Sequence, residues 1–224
     1  MSVTADARVL FTERHASYVR FIRAVRYPQG LRAYFLRSPL LRPGVRVLEA
    51  GCGSGALTLA VHDAAARRRV AVGALDAFDL TAVMLARLRH ALERRGIATV
   101  RLAEADVLRL DMLPPAWTGY DLVVSASMLE YVPRARFVHA LRGLRARLVD
   151  GGSFVLFMTR QNPLTRVMIG RWWRANLYTR AELERAFREA GFTDLRFPGF
   201  PLGALHLSLW GHAVEATSTT ARAG

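Results

Sequence analysis

The chain has 224 residues, 52% of them apolar, which is enough to bury one sizeable core. Cys52 is its one cysteine, which rules out an intrachain disulfide; the N-terminal MSVTADARVLFTERH lacks the continuous apolar stretch of a signal peptide and no long uncharged apolar run exists, which argues against export and a membrane span, so a soluble cytoplasmic protein is expected. The formal charge of +14 comes from arginine alone, with no lysine, and the arginines are spread along the chain among alanines and leucines, a compositional bias on solvated helix faces rather than a groove for nucleic acid.

The first expected element is an amphipathic helix, because Phe11, His15, Tyr18, Ile22 and Val25 share one face at helical spacing. Residues 1–43 are set apart as an N-terminal helical lid. From residue 45 strand-like and helix-like runs alternate, the pattern of an α/β domain on a mostly parallel sheet. VRVLEA (45–50) is expected as the first buried strand, GALTLAVHDAA as the helix after its glycine turn, and VAVGALDAF (70–78) as the second strand. In DLTAVMLARLRHALERRG the apolar Val83, Met84, Leu88, Ala91 and Leu92 predict a helix ending at Gly96.

TVRLAEA (99–105) and YDLVVSAS (120–127) are the third and fourth strands, separated by a loop around Pro114 and Pro115. The helix after Pro133 places Phe137, Leu141, Leu144 and Leu148 on one face and ends at the DGG turn, 150–152, before the strand SFVLFMT. RQNPLTRVMIGRWWRANLYTR (160–180) is too long for a simple connection and is read as an insertion on the substrate side. TRAELERAFREAG (179–191) opens with a capping box between Thr179 and Glu182 and closes on Gly191; FTDLRF and ALHLSLWGHAVEA supply the last two strands. Residues 1–216 are expected as one domain and 217–224 as a disordered tail.

VLEAGCGSG (47–55) is a glycine-rich turn between a strand and a helix, where free backbone amides meet a ligand. By itself it also satisfies the GxGxxG/A pattern of dinucleotide-binding folds through Gly51, Gly53 and Ala56. Taken with DLTAVMLARL (79–88), EADVLRL (104–110), and YDLVVSASMLEYVP followed by LRGLRARLVDGGSFVLF, it resembles the motifs of class I S-adenosylmethionine-dependent methyltransferases along nearly the whole chain. The resemblance implies a Rossmann-like, seven-stranded, mostly parallel sheet with an antiparallel C-terminal strand, helices on both faces and a helical lid.

The resemblance also implies S-adenosylmethionine as cofactor, S-adenosylhomocysteine as product, and a site residue by residue. The loop of Gly51, Gly53 and Gly55 would wrap the methionine and ribose, with Glu49 engaging the cofactor's amino group. Asp79 would accept from both ribose hydroxyls, with Leu80 packed on the adenine; Asp76 competes for the ribose role, and the DxTxxML register favours Asp79. Asp106 would accept from the adenine amine, with the Val107 amide at the ring. Ser125 and Ala126 would end the fourth strand beneath the sulfonium, and Tyr18 would close over the cofactor carboxylate or pack in the core. Cys52 reads as small and buried, not as a nucleophile.

No NPPY-type tetrapeptide follows the fourth strand; SASMLEYVP stands there, which leaves O-, N- and C-methylation open. No metal-ligand spacing is apparent. His15, on the lid face, is a candidate general base and Tyr131 a second catalytic candidate, with Glu130 beside it at the mouth of the site, whereas His139 falls on a solvated helix face. The expected acceptor is a small molecule, for which Met168, Trp172, Trp173 and Tyr178 suggest a large apolar or aromatic body, and arginine beside tryptophan also suits peripheral contact with a membrane. The rival readings are an NAD-dependent oxidoreductase, an RNA-directed methyltransferase, disfavoured because no RNA-binding domain is appended, and a silent binding module.

Overall fold

The computed structural model describes residues 15–171 and 174–218, and the side chains of residues 15–18, Met168 and Arg171 lie outside that description. Phe11, Trp172 and Trp173 therefore also lie outside it. Two helices lead in: α1 (His15–Ala24) and α2 (Tyr27–Arg37), joined through Arg26 in the left-handed region at φ 55°. Then follow β1 (Arg46–Ala50), α3 (Ala56–Arg68), β2 (Ala74–Asp79), α4 (Ala82–Glu93), β3 (Val100–Glu104), β4 (Tyr120–Ala126), α5 (Phe137–Arg145) and β5 (Leu148–Thr159). After β5 come a helical turn at Pro163–Thr165, a π-helical stretch at Arg166–Arg171, α6 (Arg180–Glu189), β6 (Phe192–Arg196), a 3-10 helix at Leu202–Leu209 and β7 (Gly211–Ser218).

The strands form one seven-stranded sheet in the order β3-β2-β1-β4-β5-β7-β6. β1 to β5 pair in parallel, and β7 runs antiparallel to both β5 and β6. Successive strand residues point to opposite faces, so the central strands must be apolar at every position. Val47, Leu122, Val124, Val155 and Phe157 pack with Leu31 and Phe35 of α2 and Leu57 and Val61 of α3. Leu48, Val123, Phe154 and Leu156 pack on the other face with Phe137 and Leu141 of α5 and Leu183 and Phe187 of α6. The Rossmann-like α/β architecture with an antiparallel C-terminal strand is thus present. α6 carries its capping box: Thr179 accepts from the Glu182 amide at 3.2 Å, and Glu182 accepts from the Thr179 amide at 2.7 Å.

Four boundaries differ from the sequence reading. β2 begins at Ala74, not at residue 70, because Gly73 is pressed against backbone: a Cβ there would stand 2.4 Å from the Gly44 carbonyl oxygen. Leu148 belongs to β5 rather than to the face of α5, and the DGG segment is an irregularity inside that strand, where pairing with β4 jumps from Tyr120–Leu148 to Leu122–Ser153. ALHLSLW is a 3-10 helix although its apolar residues alternate; Ala204 and Leu207, three apart, bury together, and Leu207 fills the space above Gly30 of α2. β7 runs on to Ser218, so Thr217 and Ser218, expected in the disordered tail, pair with Ser153 and Phe192.

Candidate active site

Connections leave β1 toward β2 and β4 toward β5, in opposite directions along the sheet, and a crevice opens where the carboxyl ends of β1 and β4 part. The residues after β1 are the glycine turn. Gly51, Gly53 and Gly55 all adopt the left-handed region, at φ 73°, 51° and 96°. Their uses differ. A Cβ on Gly51 would meet the Met128 side chain at 2.2 Å and one on Gly55 would meet Leu88 of α4 at 2.4 Å, so both are needed for close packing. A Cβ on Gly53 would meet nothing within 4 Å, because it faces the crevice.

The end of β2 holds this turn in place. Phe78 accepts from the amides of Gly51 and Cys52 at 2.8 and 3.0 Å, and Asp79 accepts from the Gly53 amide at 2.8 Å. The second Asp79 oxygen accepts from the amide and hydroxyl of Thr81 at 3.0 and 2.7 Å. Asp79 and Leu80 line a cavity of about 1090 Å³, mouth included. Asp76 does not: it is wholly buried in an ion pair with Arg101, with Tyr120 donating to it at 2.7 Å. Of the two competing aspartates, Asp79 is the one on the cavity wall.

Glu49 reaches the same cavity from β1 and is 1% exposed. Burial pushes its carboxyl up to about 8, the charge of Asp79 adds to this, and the hydroxyl and amide of Thr58 oppose it. Its Oε2 has no hydrogen-bond partner among the described residues, an arrangement that a cationic ligand group would relieve. On the β3 side Asp106 and Val107 complete the wall, with Asp106 fixed by the Leu108 amide at 2.9 Å. Cys52 also lines the cavity, and burial raises its thiol far above the usual range, as suits an inert side chain.

Ser125 requires a correction. Its side chain is fully buried and its hydroxyl donates to the Ala50 carbonyl at 2.9 Å, bridging β4 to β1 away from the cavity. The strand turns outward one residue later, and Ala126, expected there beside Ser125, lines the cavity together with Ser127 and Met128. Ser127 is held at φ 52° by its amide bond to Phe157 at 2.9 Å and lies 3.2 Å from the hydroxyl of Tyr27. Ile22 of α1 and Tyr27 of α2 close the near side. Ile22 carried a signal in the apolar stripe of its helix; Tyr27 carried none, since only the left-handed turn at Arg26 aims it inward. His15 and Tyr18 lie in α1, but their side chains are outside the described residues.

A second cavity, of about 580 Å³, adjoins the first and shares Ile22, Tyr27, Ser127 and Tyr131 with it. Its remaining wall is mostly apolar and aromatic, including Phe157, Ile169, Phe200, Leu207 and Trp210. Glu130 is buried beneath it and accepts from the amide and hydroxyl of Thr159 at 2.9 and 3.1 Å; burial raises its carboxyl to about 6 against those two donors. The carboxylate thereby pins the turn carrying Tyr131 to the end of β5. His212, on the wall, is held toward neutrality by burial and by Arg160 and Arg180. Nothing in the sequence brought His212 or Trp210 to notice.

The 160–180 insertion reaches this cavity through Ile169. Tyr178, expected in the acceptor pocket, is instead buried in the core, stacked on Phe137 at 4.6 Å and with the Arg134 guanidinium 4.4 Å from its ring centre. Its place directly before the capped start of α6 explains this, since the chain has already returned to the helix layer. His139 is exposed on α5. Among the described residues no group of His, Cys, Asp and Glu side chains is arranged to hold a metal ion.

Residues 47–152 match the model of a methyltransferase domain. Malonyl-[acyl-carrier protein] O-methyltransferase of Anoxybacillus flavithermus is 29% identical over 122 residues, which cover 54% of this chain and 41% of that relative. Magnesium protoporphyrin IX methyltransferase from Synechocystis PCC 6803 with bound S-adenosylhomocysteine superposes with a TM-score of 0.70 at 15% identity, over 96% of this chain and 99% of that one. The YcgJ protein of Bacillus subtilis superposes with a TM-score of 0.64 at 14% identity, over 85% and 99% of the two chains. At these identities the superpositions speak for the fold.

Proposed function

We propose, from the premise that residues 47–152 belong to the methyltransferase domain family and that the fold is that of the class I S-adenosylmethionine-dependent enzymes, that this protein methylates a small apolar or aromatic acceptor. The observation that carries the reading is the pair of carboxylates, Glu49 and Asp79, beside the open side of Gly53, with no arginine among the described residues lining the cavity. Such a lining suits a cofactor with an ammonium group and a ribose diol. It opposes the pyrophosphate of a nicotinamide dinucleotide, whose two negative charges would meet acidic side chains and no basic one among the described lining residues.

In this reading Glu49 Oε2 takes the amino group and Asp79 the ribose hydroxyls, while Asp106, the Val107 amide and Leu80 hold the adenine. S-adenosylmethionine supplies an electrophilic methyl group on a sulfonium. The protein's own contribution is to bind, orient and exclude water, because in-line attack depends mainly on position. The second cavity holds the acceptor, and Tyr131, which borders both spaces, is our candidate for the group that touches it. His212 offers a neutral imidazole on the acceptor side, better supported than His15 as a proton acceptor because its place on the wall is known.

Calorimetric titration with S-adenosylhomocysteine and with NADH tests the reading. Binding of the first and none of the second is expected. Binding of NADH alone would return the protein to the oxidoreductases.

A further inference from the structure

The three longest stretches of the chain without aspartate or glutamate are residues 14–48, 151–181 and 195–214. They are far apart in sequence, yet each contributes to the wall of the second cavity, through Ile22 and Tyr27, through Ile169, and through Leu207 and Trp210. Contacts tie them together at the surface. Phe21 of α1 meets Trp210 edge-on at 5.5 Å, the Asn162 side chain donates to the Leu209 carbonyl at 2.7 Å, and the Arg160 amide donates to the Trp210 carbonyl at 2.9 Å.

Among the described residues these three segments carry exposed Arg20, Arg23, Arg160 and Arg166, and they also present aliphatic side chains to solvent. Leu202 is 78% exposed, Leu209 64%, Val167 63%, and Leu164 and Leu205 50% each. In the 3-10 helix Ala204 and Leu207 bury on one side, which sends Leu202, Leu205 and Leu209 outward. The other exposed large apolar residues among those described, Val83, Met112 and Val149, sit singly on other segments.

Aliphatic side chains that protrude from segments carrying arginines and no carboxylate match one kind of surface above others. Leucine gains by leaving water for the acyl boundary, and arginine by meeting lipid phosphates. A soluble acidic partner would use the arginines but leave the leucines without a role. We infer that this face docks the protein on an anionic lipid surface, with the mouth of the second cavity turned to the membrane, so that the acceptor is a lipid-dissolved molecule entering from the bilayer. The inference about the acceptor rests on the methyl-transfer reading; the docking does not.

Flotation of the full chain with vesicles of equal parts phosphatidylglycerol and phosphatidylcholine tests the docking, with pure phosphatidylcholine as the comparison. The mixed vesicles should carry the protein. The L202S/L205S/L209S variant should bind them at least about tenfold more weakly with unchanged thermal unfolding, since its side chains are already in water. L164S/V167S provides a second variant in case the first fails to fold. R87S/R89S on the exposed side of α4, beside the opposite end of the sheet, should bind as the parent does. Unchanged binding in both aliphatic variants, an equal loss in R87S/R89S, or binding to polyglutamate but not to vesicles would overturn the proposal. Flotation needs no turnover and the cofactor titration needs no vesicle, so the two readings fail separately.

Discussion

Replacing Asp79 and Asp76 in turn separates a binding role from a structural one. Asp79 already accepts three hydrogen bonds, from the Gly53 amide and from the amide and hydroxyl of Thr81, out of about four lone-pair directions on a carboxylate. A ribose diol must therefore share these oxygens rather than claim them outright. Two full charge-assisted bonds would contribute about 3 to 6 kcal/mol, and sharing at a half-exposed site reduces this to about 2 kcal/mol. Asp79→Ala should accordingly weaken S-adenosylhomocysteine about 30-fold in calorimetry while lowering stability by only about 1 kcal/mol. Asp76→Ala should do the reverse. It strands the buried Tyr120 hydroxyl, while Arg101, 57% exposed, returns to water, so about 2 to 3 kcal/mol of stability is lost with affinity changed less than about twofold. An Asp76 variant that binds more weakly than the Asp79 variant would refute the assignment.

Glu49 has its carboxyl raised to about 8, so the stability this confers on the ligand-free protein is complete below the ordinary carboxylate range and is lost as pH rises through 8. Glu49→Gln should match the parent's denaturant stability at pH 4 and exceed it by about 1 to 3 kcal/mol at pH 9, and it should abolish the rise in S-adenosylhomocysteine affinity expected between pH 6 and 8. A variant less stable than the parent at pH 9 would contradict the buried, unpartnered state of Oε2. Gly53→Val should remove cofactor binding in a protein that still folds, whereas Gly55→Ala, forced against Leu88, should lower the melting temperature first. Ser125→Ala should cost about 1 kcal/mol of stability through the lost bond to Ala50 and leave affinity alone; a large loss of affinity would put Ser125 back in the site. Amide exchange over His15–Ala24 should slow when S-adenosylhomocysteine is added, more than over Phe137–Arg145, because Ile22 borders the cavity; equal protection would make α1 a static bracket.

The alternation of apolar runs and turn residues was sufficient for the order of strands and helices, because each central strand is buried on both faces and its composition has to say so. The glycine turn, Glu49, Asp79, Leu80, Asp106 and Val107 were legible for a related reason: each lies at or just beyond the carboxyl end of a strand, where a local motif and its place in the fold coincide. Local pattern misled where two periods overlap. The alternating leucines of 204–210 read as a strand, and only the seat of Leu207 over Gly30 makes them a 3-10 helix. Ser125 missed the cavity because one residue of strand reverses the direction of a side chain. The second cavity was written nowhere in one place. Tyr27, Tyr131, Ile169, Trp210 and His212 meet only because the sheet order brings β5 and β7 together beneath α1 and the 160–180 insertion, and no local rule acts across such distances along the chain. The absence of carboxylates from three separate segments was likewise plain in the sequence, but that they form one face was decided by tertiary packing alone.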